Sequence, residues 1–305
     1  MTGVLRLNGR VALVTGAGNG IGKATALQLA SEGAAVVVND LGTSIEGEGH
    51  SSGPADDTVA QIIAAGGSAV ANYDSIAEPE GCKRAVSCAT DTFGACDIVI
   101  ANAGALLKTA QRGINSDDET WFKLINLYLG QKFWLTREAL PGMLERGWGR
   151  VIFATSEIAR GTQKNPLGAA VLSGGIGMMR DLAATHAGSG VTFNCYAPSA
   201  ATRTYELYME QLEAGLLIGK DREALLALPR LAGPEYIAPM LTWLCSEAGA
   251  LVTGEVFSLG GGNICQWTAL QDGVRLVKED DGRPGLWTLD ELSEQLHKRL
   301  VPSAG

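Results

Sequence analysis

The chain has 305 residues, of which 40 are glycine, and its 24 Lys and Arg against 33 Asp and Glu give a net charge of −9. This acidic balance argues against nucleic acid and anionic membranes as partners, because both are bound by clustered Lys and Arg. No apolar run approaches the roughly 18 residues that span a bilayer, and the first ten residues lack the apolar stretch of a signal peptide. We therefore expect a cytoplasmic protein with no nucleic-acid or membrane partner.

Short runs rich in Val and Ile alternate along the chain with segments long enough to form helices. Runs that are apolar on both faces and alternate with helices are typical of a parallel sheet covered on both sides. The predicted strands are Val11–Thr15, Ala35–Asn39, Ser68–Asn72, Asp97–Ala101, Arg150–Ala154, Val191–Tyr196 and Glu255–Ser258. The sequence thus predicts an α/β fold with a doubly wound parallel sheet in three layers.

Two segments depart from this alternation. Leu41–Asp57 is polar and glycine-rich, which predicts a long surface loop. Tyr205–Pro229 is rich in leucine, which predicts one or two extra helices that end at its proline. We expect one domain over residues 1–265, with an insertion at about 205–229, and a C-terminal tail over residues 266–305.

The tail carries the sequence pattern of a helix start. Thr288 and Glu291 fit the S/T-x-x-E capping box, and Leu292, Leu296 and Leu300 then fall on one helical stripe. We predict a short C-terminal extension with one amphipathic helix. Its apolar stripe is expected to pack on the same chain, with an intersubunit contact as the alternative.

The metal-binding residue types form no recognisable site. The six cysteines include no C-x-x-C pair, and the three histidines have no partner at a useful spacing. We therefore expect free thiols and no metal ion.

The first predicted strand runs directly into a glycine-rich loop, and a helical pattern follows as far as Gly33. Strand, glycine loop and helix is the order of a dinucleotide site, because glycine lets the backbone approach the pyrophosphate at the helix N-terminus. The candidate residues are Thr15, Gly16, Gly18, Asn19, Gly20, Ile21 and Gly22. With the doubly wound sheet, this motif predicts a Rossmann-type domain.

The second predicted strand is followed by Asp40, eighteen residues after Gly22. A carboxylate at this place accepts hydrogen bonds from the adenosine ribose and repels a 2′-phosphate. Neither Asn19 nor Leu41 is a basic residue that would favour that phosphate. NAD is therefore predicted as the cofactor ahead of NADP; the alternative is that Asp40 only caps a turn.

These features resemble the short-chain dehydrogenase/reductase family, and the similarity covers about residues 8–265. Further motifs that carry it are Asn72-Tyr73-Asp74, Asn102-Ala103-Gly104, Thr155-Ser156 and Ala197-Pro198 with Thr202. The resemblance implies that Asp74, together with Ser75, lies at the adenine and that the second motif lines the cofactor. It also implies that Pro198 and Thr202 contact the nicotinamide carboxamide.

The segments VVND-LG, VANYDS and PEYIAPMLTWLCSE resemble the (3R)-hydroxyacyl-CoA dehydrogenase domain of peroxisomal multifunctional enzymes and its bacterial stand-alone relatives. This resemblance implies NAD-dependent oxidation of an acyl-CoA-like small molecule, with Tyr205–Pro229 as a lid. It also implies a homodimer or homotetramer joined through helices near 119–145 and 165–188.

Catalysis in this family uses a Ser, an Asn, and a Tyr followed four residues later by a Lys. Ser156 fits the serine position. The Tyr is expected near Gly168 or Ala169 and the Lys near Leu172 or Ser173, but no Tyr occurs from Val151 to Cys195 and the one Lys there is Lys164. The proton-transfer pair is therefore missing from the sequence.

The Asn position is altered as well, because the spacing from Thr136 places Tyr128 there and Asn126 lies two residues too early. Tyr128, Glu157 and Tyr196 are candidate substitutes for the missing acid. Two hypotheses follow. The chain is a catalytically impaired, NAD-binding subunit that pairs with an active homologue, or it is an active enzyme on an acyl-CoA-like or ring-bearing substrate with a rerouted proton path or non-redox chemistry.

Overall fold

The computed structural model describes residues 6–105, 114–161, 165–214, 230–269, 276–280 and 283–300. The chain divides into two compact units, residues 1–267 and 268–305. The strands of the larger unit are β1 (Val11–Thr15), β2 (Ala35–Asn39), β3 (Ser68–Asn72), β4 (Ile98–Ala101), β5 (Gly149–Ala154), β6 (Val191–Ser199), β7 (Val256–Gly260) and β8 (Asn263–Gln266). They form one sheet in the order β3-β2-β1-β4-β5-β6-β7-β8.

The first seven strands run parallel, and β8 returns antiparallel to β7. The strand order reverses between β1 and β4, which is the switch point where doubly wound folds bind ligands. The predicted fold class is confirmed. The sequence analysis missed β8, whose four residues are all exposed and therefore lack the apolar pattern of the inner strands.

The helices are α1 (Gly20–Ser31), α2 (Gly53–Ala64), α3 (Pro79–Phe93), α4 (Asp118–Leu124), α5 (Gln131–Arg146), α6 (Pro166–Thr185), α7 (Arg203–Glu213), α8 (Ala238–Cys245) and α9 (Leu289–Leu300). A π-helical turn, Ile125–Gly130, joins α4 to α5. Among the described residues, no helix is both long and apolar enough to cross a membrane.

Both faces of the sheet are covered because its side chains alternate between two apolar cores. Val14 of β1 packs with Leu29 of α1 on one side of the sheet. Leu13, its neighbour, packs on the other side with Leu135 of α5 and Met179 of α6. The sheet and its two helical layers therefore hold the loops at the strand ends in fixed positions.

The structure corrects the predicted loop at Leu41–Asp57 and describes part of the predicted insertion at Tyr205–Pro229. The loop predicted for Leu41–Asp57 ends earlier, because α2 begins at Gly53 with Pro54 in its first turn and buries Ala55 and Ile62. In the predicted insertion, α7 forms the first helix, while residues 215–229 lie outside the described residues.

The smaller unit contains a two-stranded antiparallel ladder, β9 (Glu279–Asp280) with β10 (Arg283–Pro284), and the helix α9. The capping box is confirmed: the Thr288 amide donates to the Glu291 carboxylate at 2.8 Å, and the Glu291 amide donates to the Thr288 hydroxyl at 3.2 Å. Hydrogen bonding from Lys278 and Thr288 lowers the pKa of Glu291 to about 2. Of the predicted stripe, the side chains of Leu296 and Leu300 lie outside the described residues.

Candidate active site

A cleft of about 400 Å³ opens at the carboxyl ends of β1, β2, β3 and β4, beside the first turn of α1. We name it the glycine-loop cleft. Twelve of the predicted cofactor residues line it: Gly16, Asn19, Gly20, Ile21, Asp40, Leu41, Asp74, Ser75, Asn102, Ala103, Gly104 and Thr202. The fold therefore gathers in one place residues that are spread over almost two hundred positions of the sequence.

Thr15 is fully buried at the end of β1, and its side chain supports the cleft through hydrogen bonds. Its hydroxyl oxygen accepts hydrogen bonds from the amides of Asn102 and Ala103, both at 3.0 Å. The same hydroxyl donates to the Gln131 side chain at 3.1 Å. These bonds join the ends of β1 and β4 to the start of α5.

Gly18 and Gly22 are required by packing within the loop. A Cβ at Gly22 would overlap the carbonyl oxygen of Gly16. A Cβ at Gly18 would lie 2.7 Å from the Asp40 carboxylate. Both glycines therefore act through the shape of the loop, and neither is among the cleft-lining residues that the structure describes.

Asp40 is held in place by the backbone on both sides of it. One carboxylate oxygen accepts the Gly18 amide at 2.8 Å, and the other accepts the Gly42 amide at 2.7 Å. Gly42 has a φ of +70°, which favours glycine. Asp40 thus closes a turn after β2 and is also part of the wall of the glycine-loop cleft.

Asp74 is tied to the edge of the sheet in a similar way. It accepts hydrogen bonds from the Asn72 side chain at 2.7 Å and from the Arg84 guanidinium at 2.6 Å. Asn39 links this group to β2 through the Asp74 carbonyl oxygen at 2.9 Å. The carboxylate is therefore fixed at the rim of the cleft.

A second cavity, of about 340 Å³, adjoins the glycine-loop cleft. We name it the Ser156 pocket, because Ser156 lies in its wall after β5. Pro198 and Tyr128 also line it. The two cavities share six wall residues, which are Ile21, Asn102, Ala103, Gly104, Ala105 and Thr204. A ligand in the pocket therefore lies directly beside one in the cleft.

One face of α6 forms part of the wall of the Ser156 pocket. Gly168 and Leu172 line the Ser156 pocket, whereas Ser173 is exposed and its hydroxyl donates to the Ala159 carbonyl oxygen at 2.8 Å. The missing Tyr was expected at 168 or 169 and the missing Lys at 172 or 173. Of these positions, Gly168 and Leu172 lie in the wall of the pocket. Lys164 lies outside the described residues.

The three candidate substitutes for the missing acid are each engaged elsewhere. The Tyr128 hydroxyl exchanges hydrogen bonds with the amide and carbonyl of Ala105. Glu157 accepts a hydrogen bond from Ser258 and forms an ion pair with Arg160 at 2.9 Å.

Tyr196 is fully buried, and its hydroxyl donates to the Asn102 side-chain oxygen at 2.7 Å. Burial raises the pKa of this phenol. It therefore braces the turn after β4 as a neutral hydrogen-bond donor.

Lys132 was not predicted from the sequence, and it lines the Ser156 pocket from the start of α5. The side chain is 1% exposed, and among the described residues its Nζ has no hydrogen-bond partner. Burial lowers the pKa of Lys132 to about 8. A signal was available, because Lys132 precedes Leu135, Thr136, Ala139 and Met143 on the buried stripe of this helix.

Comparisons with known proteins identify the family of this chain. The sequence model of the short chain dehydrogenases matches residues 10–208. The chain belongs to the short-chain dehydrogenase/reductase family. This confirms the family resemblance read from the motifs. Peroxisomal multifunctional enzyme type 2 of Mus musculus is 37% identical over 266 residues, which cover 86% of this chain and 33% of that enzyme. The chain thus spans about one third of that relative.

Solved structures of dehydrogenases share the fold. A short chain dehydrogenase from Mycobacterium avium is 32% identical with a TM-score of 0.78, and the match covers 99% of this chain and 98% of that one. A 7α-hydroxysteroid dehydrogenase, solved with NADH and 7-oxoglycochenodeoxycholic acid, is 26% identical with a TM-score of 0.72. That match covers 86% of this chain and 96% of the other.

Proposed function

We propose that this short-chain dehydrogenase/reductase binds NAD in the glycine-loop cleft and is catalytically impaired on its own, acting as the partner subunit of an active dehydrogenase. The observation that carries the proposal is which residues α6 places in the wall of the pocket. Gly168 and Leu172 line the Ser156 pocket, at the positions where the family resemblance expects a Tyr and a Lys. Neither residue can exchange a proton with a substrate.

The glycine-loop cleft fits a nicotinamide dinucleotide. Gly16, Gly18 and Gly22 keep the loop close to the N-terminus of α1, whose amides favour a pyrophosphate. The Asp40 carboxylate can accept hydrogen bonds from the adenosine ribose and would repel a 2′-phosphate. This residue therefore supports NAD ahead of NADP as the cofactor. Asn102 and Thr202 line the remainder of the cleft. When bound, the nicotinamide accepts or supplies a hydride.

We expect impaired catalysis because Gly168 and Leu172 supply no acid or base at the two positions of the missing pair. A general acid or base is worth about 10²- to 10⁴-fold in rate. Tyr128, Glu157 and Tyr196 are all hydrogen-bonded to other protein groups, which speaks against a proton path rerouted through them. Ser156 remains in the pocket wall, where it can hold a substrate oxygen without exchanging the proton.

The helices α4, α5 and α6 supply a surface for subunit contact. Phe122 and Phe133 are 59% and 50% exposed on the first two. On α6, a Cβ at Gly177 would meet no atom within 4 Å, so another helix can approach closely there. We propose that this surface joins the chain to a second copy or to an active homologue that handles an acyl-CoA-like substrate.

The test is to assay the purified chain with NAD and a panel of (3R)-hydroxyacyl-CoA substrates, alone and together with homologues that retain the Tyr-x-x-x-Lys pair. We expect no turnover by the chain alone and stable co-purification with a homologue. Turnover by the isolated chain would overturn the impaired state. Calorimetry that detects no NADH affinity at millimolar concentration would overturn cofactor binding.

A further inference from the structure

Two residues in the wall of the Ser156 pocket carry buried polar atoms that have no hydrogen-bond partner among the described residues. In the part of the chain that the structure describes, five buried side-chain polar atoms lack a hydrogen-bond partner: Lys132 Nζ, Thr136 Oγ1, Arg150 Nε, Thr155 Oγ1 and Thr242 Oγ1. Two of these residues, Lys132 and Thr155, belong to the wall of the pocket. Buried donors without partners are rare in native proteins and call for a specific explanation.

Lys132 packs against α6 in the wall of this pocket. Gly168, Leu172 and Gly175 are spaced by four and three residues, so they share one face of α6. The first two line the pocket, and Lys132 covers the third. A Cβ at residue 175 would lie 3.0 Å from Lys132 Nζ and 3.1 Å from its Cδ. Gly175 therefore leaves the room that this lysine occupies.

The surroundings of Lys132 provide no counter-ion. The described wall of the Ser156 pocket includes no Asp or Glu. From β6, Cys195 faces Lys132 with a thiol whose pKa is raised to about 12 by burial, so it stays neutral, and Arg180 of α6 adds positive charge near that thiol. Tyr128 directs its hydroxyl to the backbone of Ala105. A buried ammonium without a partner is unfavourable and attracts an anion.

The rest of the wall is largely apolar and includes Leu124, Ile158, Val171 and Leu172. A cavity of about 340 Å³ falls in the size range of small-molecule sites, which combine an apolar lining with a few placed polar groups. We propose that the Ser156 pocket binds a small molecule with an apolar body and a carboxylate head group. The ligand's carboxylate pairs with the Lys132 ammonium and accepts a hydrogen bond from the Thr155 hydroxyl. This inference goes beyond cofactor binding and does not rest on it.

The test compares two probes that differ only in their head group, octanoate and octan-1-ol, by calorimetry. Lys132→Met keeps the length of the side chain and removes its charge. We expect octanoate affinity to fall at least about tenfold, the equivalent of one lost charge-assisted hydrogen bond, while octan-1-ol affinity stays within about twofold. Lys83→Met, which removes an exposed charge on α3, is the matched control and leaves both affinities unchanged. Equal octanoate affinity in the parent and in Lys132→Met overturns the proposal.

A pH titration of the unaltered chain gives an independent result if the variant fails to fold. Because only the protonated amine pairs with a carboxylate, octanoate affinity should be about tenfold weaker at about pH 9 than at about pH 7, while octan-1-ol affinity stays flat. A flat octanoate profile, or no octanoate binding at millimolar concentration, overturns the proposal. NADH titrated in parallel separates the two sites, since failure of NADH binding alone overturns only the cofactor proposal.

Discussion

The ammonium of Lys132 rests on Gly175, where a Cβ would come within 3.0 Å of Nζ. This contact joins α5 to α6 next to the Ser156 pocket, which Lys132 also lines. It makes the two positions interdependent, because a larger residue on α6 displaces the buried amine from the space that it fills.

We expect Gly175→Ala to leave the chain less stable than Gly177→Ala, because an overpacking cost of about 1–3 kcal/mol opposes the gain of about 0.5–1 kcal/mol from removing a helical glycine. Urea denaturation measures the change, and a double-mutant cycle with Lys132→Met should recover most of it. Gly177→Ala is the control on the same helix, since its Cβ meets open space and removal of a helical glycine stabilises by about 0.5–1 kcal/mol. Equal effects of the two glycine substitutions would refute the contact.

The lowered pKa of Lys132, about 8 against an ordinary 10.5, makes stability depend on pH. Between these values the unfolded chain holds a proton that the native chain has lost, so the lysine's contribution to the free energy of unfolding rises with pH, by up to about 3 kcal/mol. Comparing the parent chain with Lys132→Met by denaturation at several pH values isolates this contribution.

Buried thiols oppose that trend in the parent chain. Burial raises the pKa of Cys82, Cys96, Cys195 and Cys245 to about 12, so the native chain holds thiol protons that the unfolded chain releases above about pH 9, and stability falls. Both chains share these thiols, so the effects of Cys82, Cys96 and Cys245 cancel in the difference. Cys195 interacts with Lys132 and contributes to the difference. A difference that stays constant from about pH 8 to about pH 10 would show that Lys132 is not desolvated.

Gly22→Ala should abolish NADH binding and cost about 3 kcal/mol of stability, because its Cβ overlaps the Gly16 carbonyl and forces the glycine loop apart. Thermal unfolding and calorimetry measure the two effects. Gly262→Ala, whose Cβ has no neighbour within 4 Å, is the control. NADH binding that survives Gly22→Ala would place the dinucleotide elsewhere.

Asp40→Ala should weaken NADH binding at least about tenfold and raise the ratio of NADPH to NADH affinity, because the repulsion of a 2′-phosphate disappears. It should also lower stability by about 1–3 kcal/mol, since the amides of Gly18 and Gly42 lose their acceptors. Asp40→Asn retains one acceptor oxygen and is expected to have an intermediate effect. An unchanged cofactor ratio would contradict the role of Asp40.

Introducing the missing Tyr and Lys tests whether α6 holds these two positions where the reaction would need them. The double variant Gly168→Tyr/Leu172→Lys places both groups in the wall of the Ser156 pocket. We expect NAD-linked oxidation of a hydroxyacyl-CoA to rise at least about tenfold above the parent, a part of what a positioned acid supplies. The offset pair Ala169→Tyr/Ser173→Lys is the comparison, and activity in that pair alone would shift the assignment by one residue.

Much of the fold could be predicted because a buried parallel strand appears in the sequence as a short run of apolar residues. Val11–Thr15 and Ala35–Asn39 are apolar on both faces and have the predicted bounds. Ser68–Asn72, a partly buried edge strand, has its predicted bounds as well. The antiparallel strand Asn263–Gln266 is exposed along its length and carries no such pattern. The start of α2 at Gly53 was missed because it directly follows a polar, glycine-rich loop, although Pro54 in its first turn is a helix-start signal.

The candidate site shows the same division. The glycine loop and Asp40 could be located because their spacing along the chain matches a backbone requirement. Lys132 could not be recognised from family motifs, because its part in the pocket depends on α5 and α6 packing together with Gly175 between them. A lysine on an otherwise buried stripe was the one local sign, and only the fold shows what it lines.

The bonds that hold Asp40 have a thermodynamic consequence for ligand binding. A free carboxylate at the rim of a cleft loses rotamer freedom when a ligand orders it, at a cost of about 0.5–1.5 kcal/mol for each immobilised side chain. Here the amides of Gly18 and Gly42 have already fixed its orientation during folding. The cleft is thus preorganised at this residue, and a ribose that arrives there meets an acceptor that needs no further ordering.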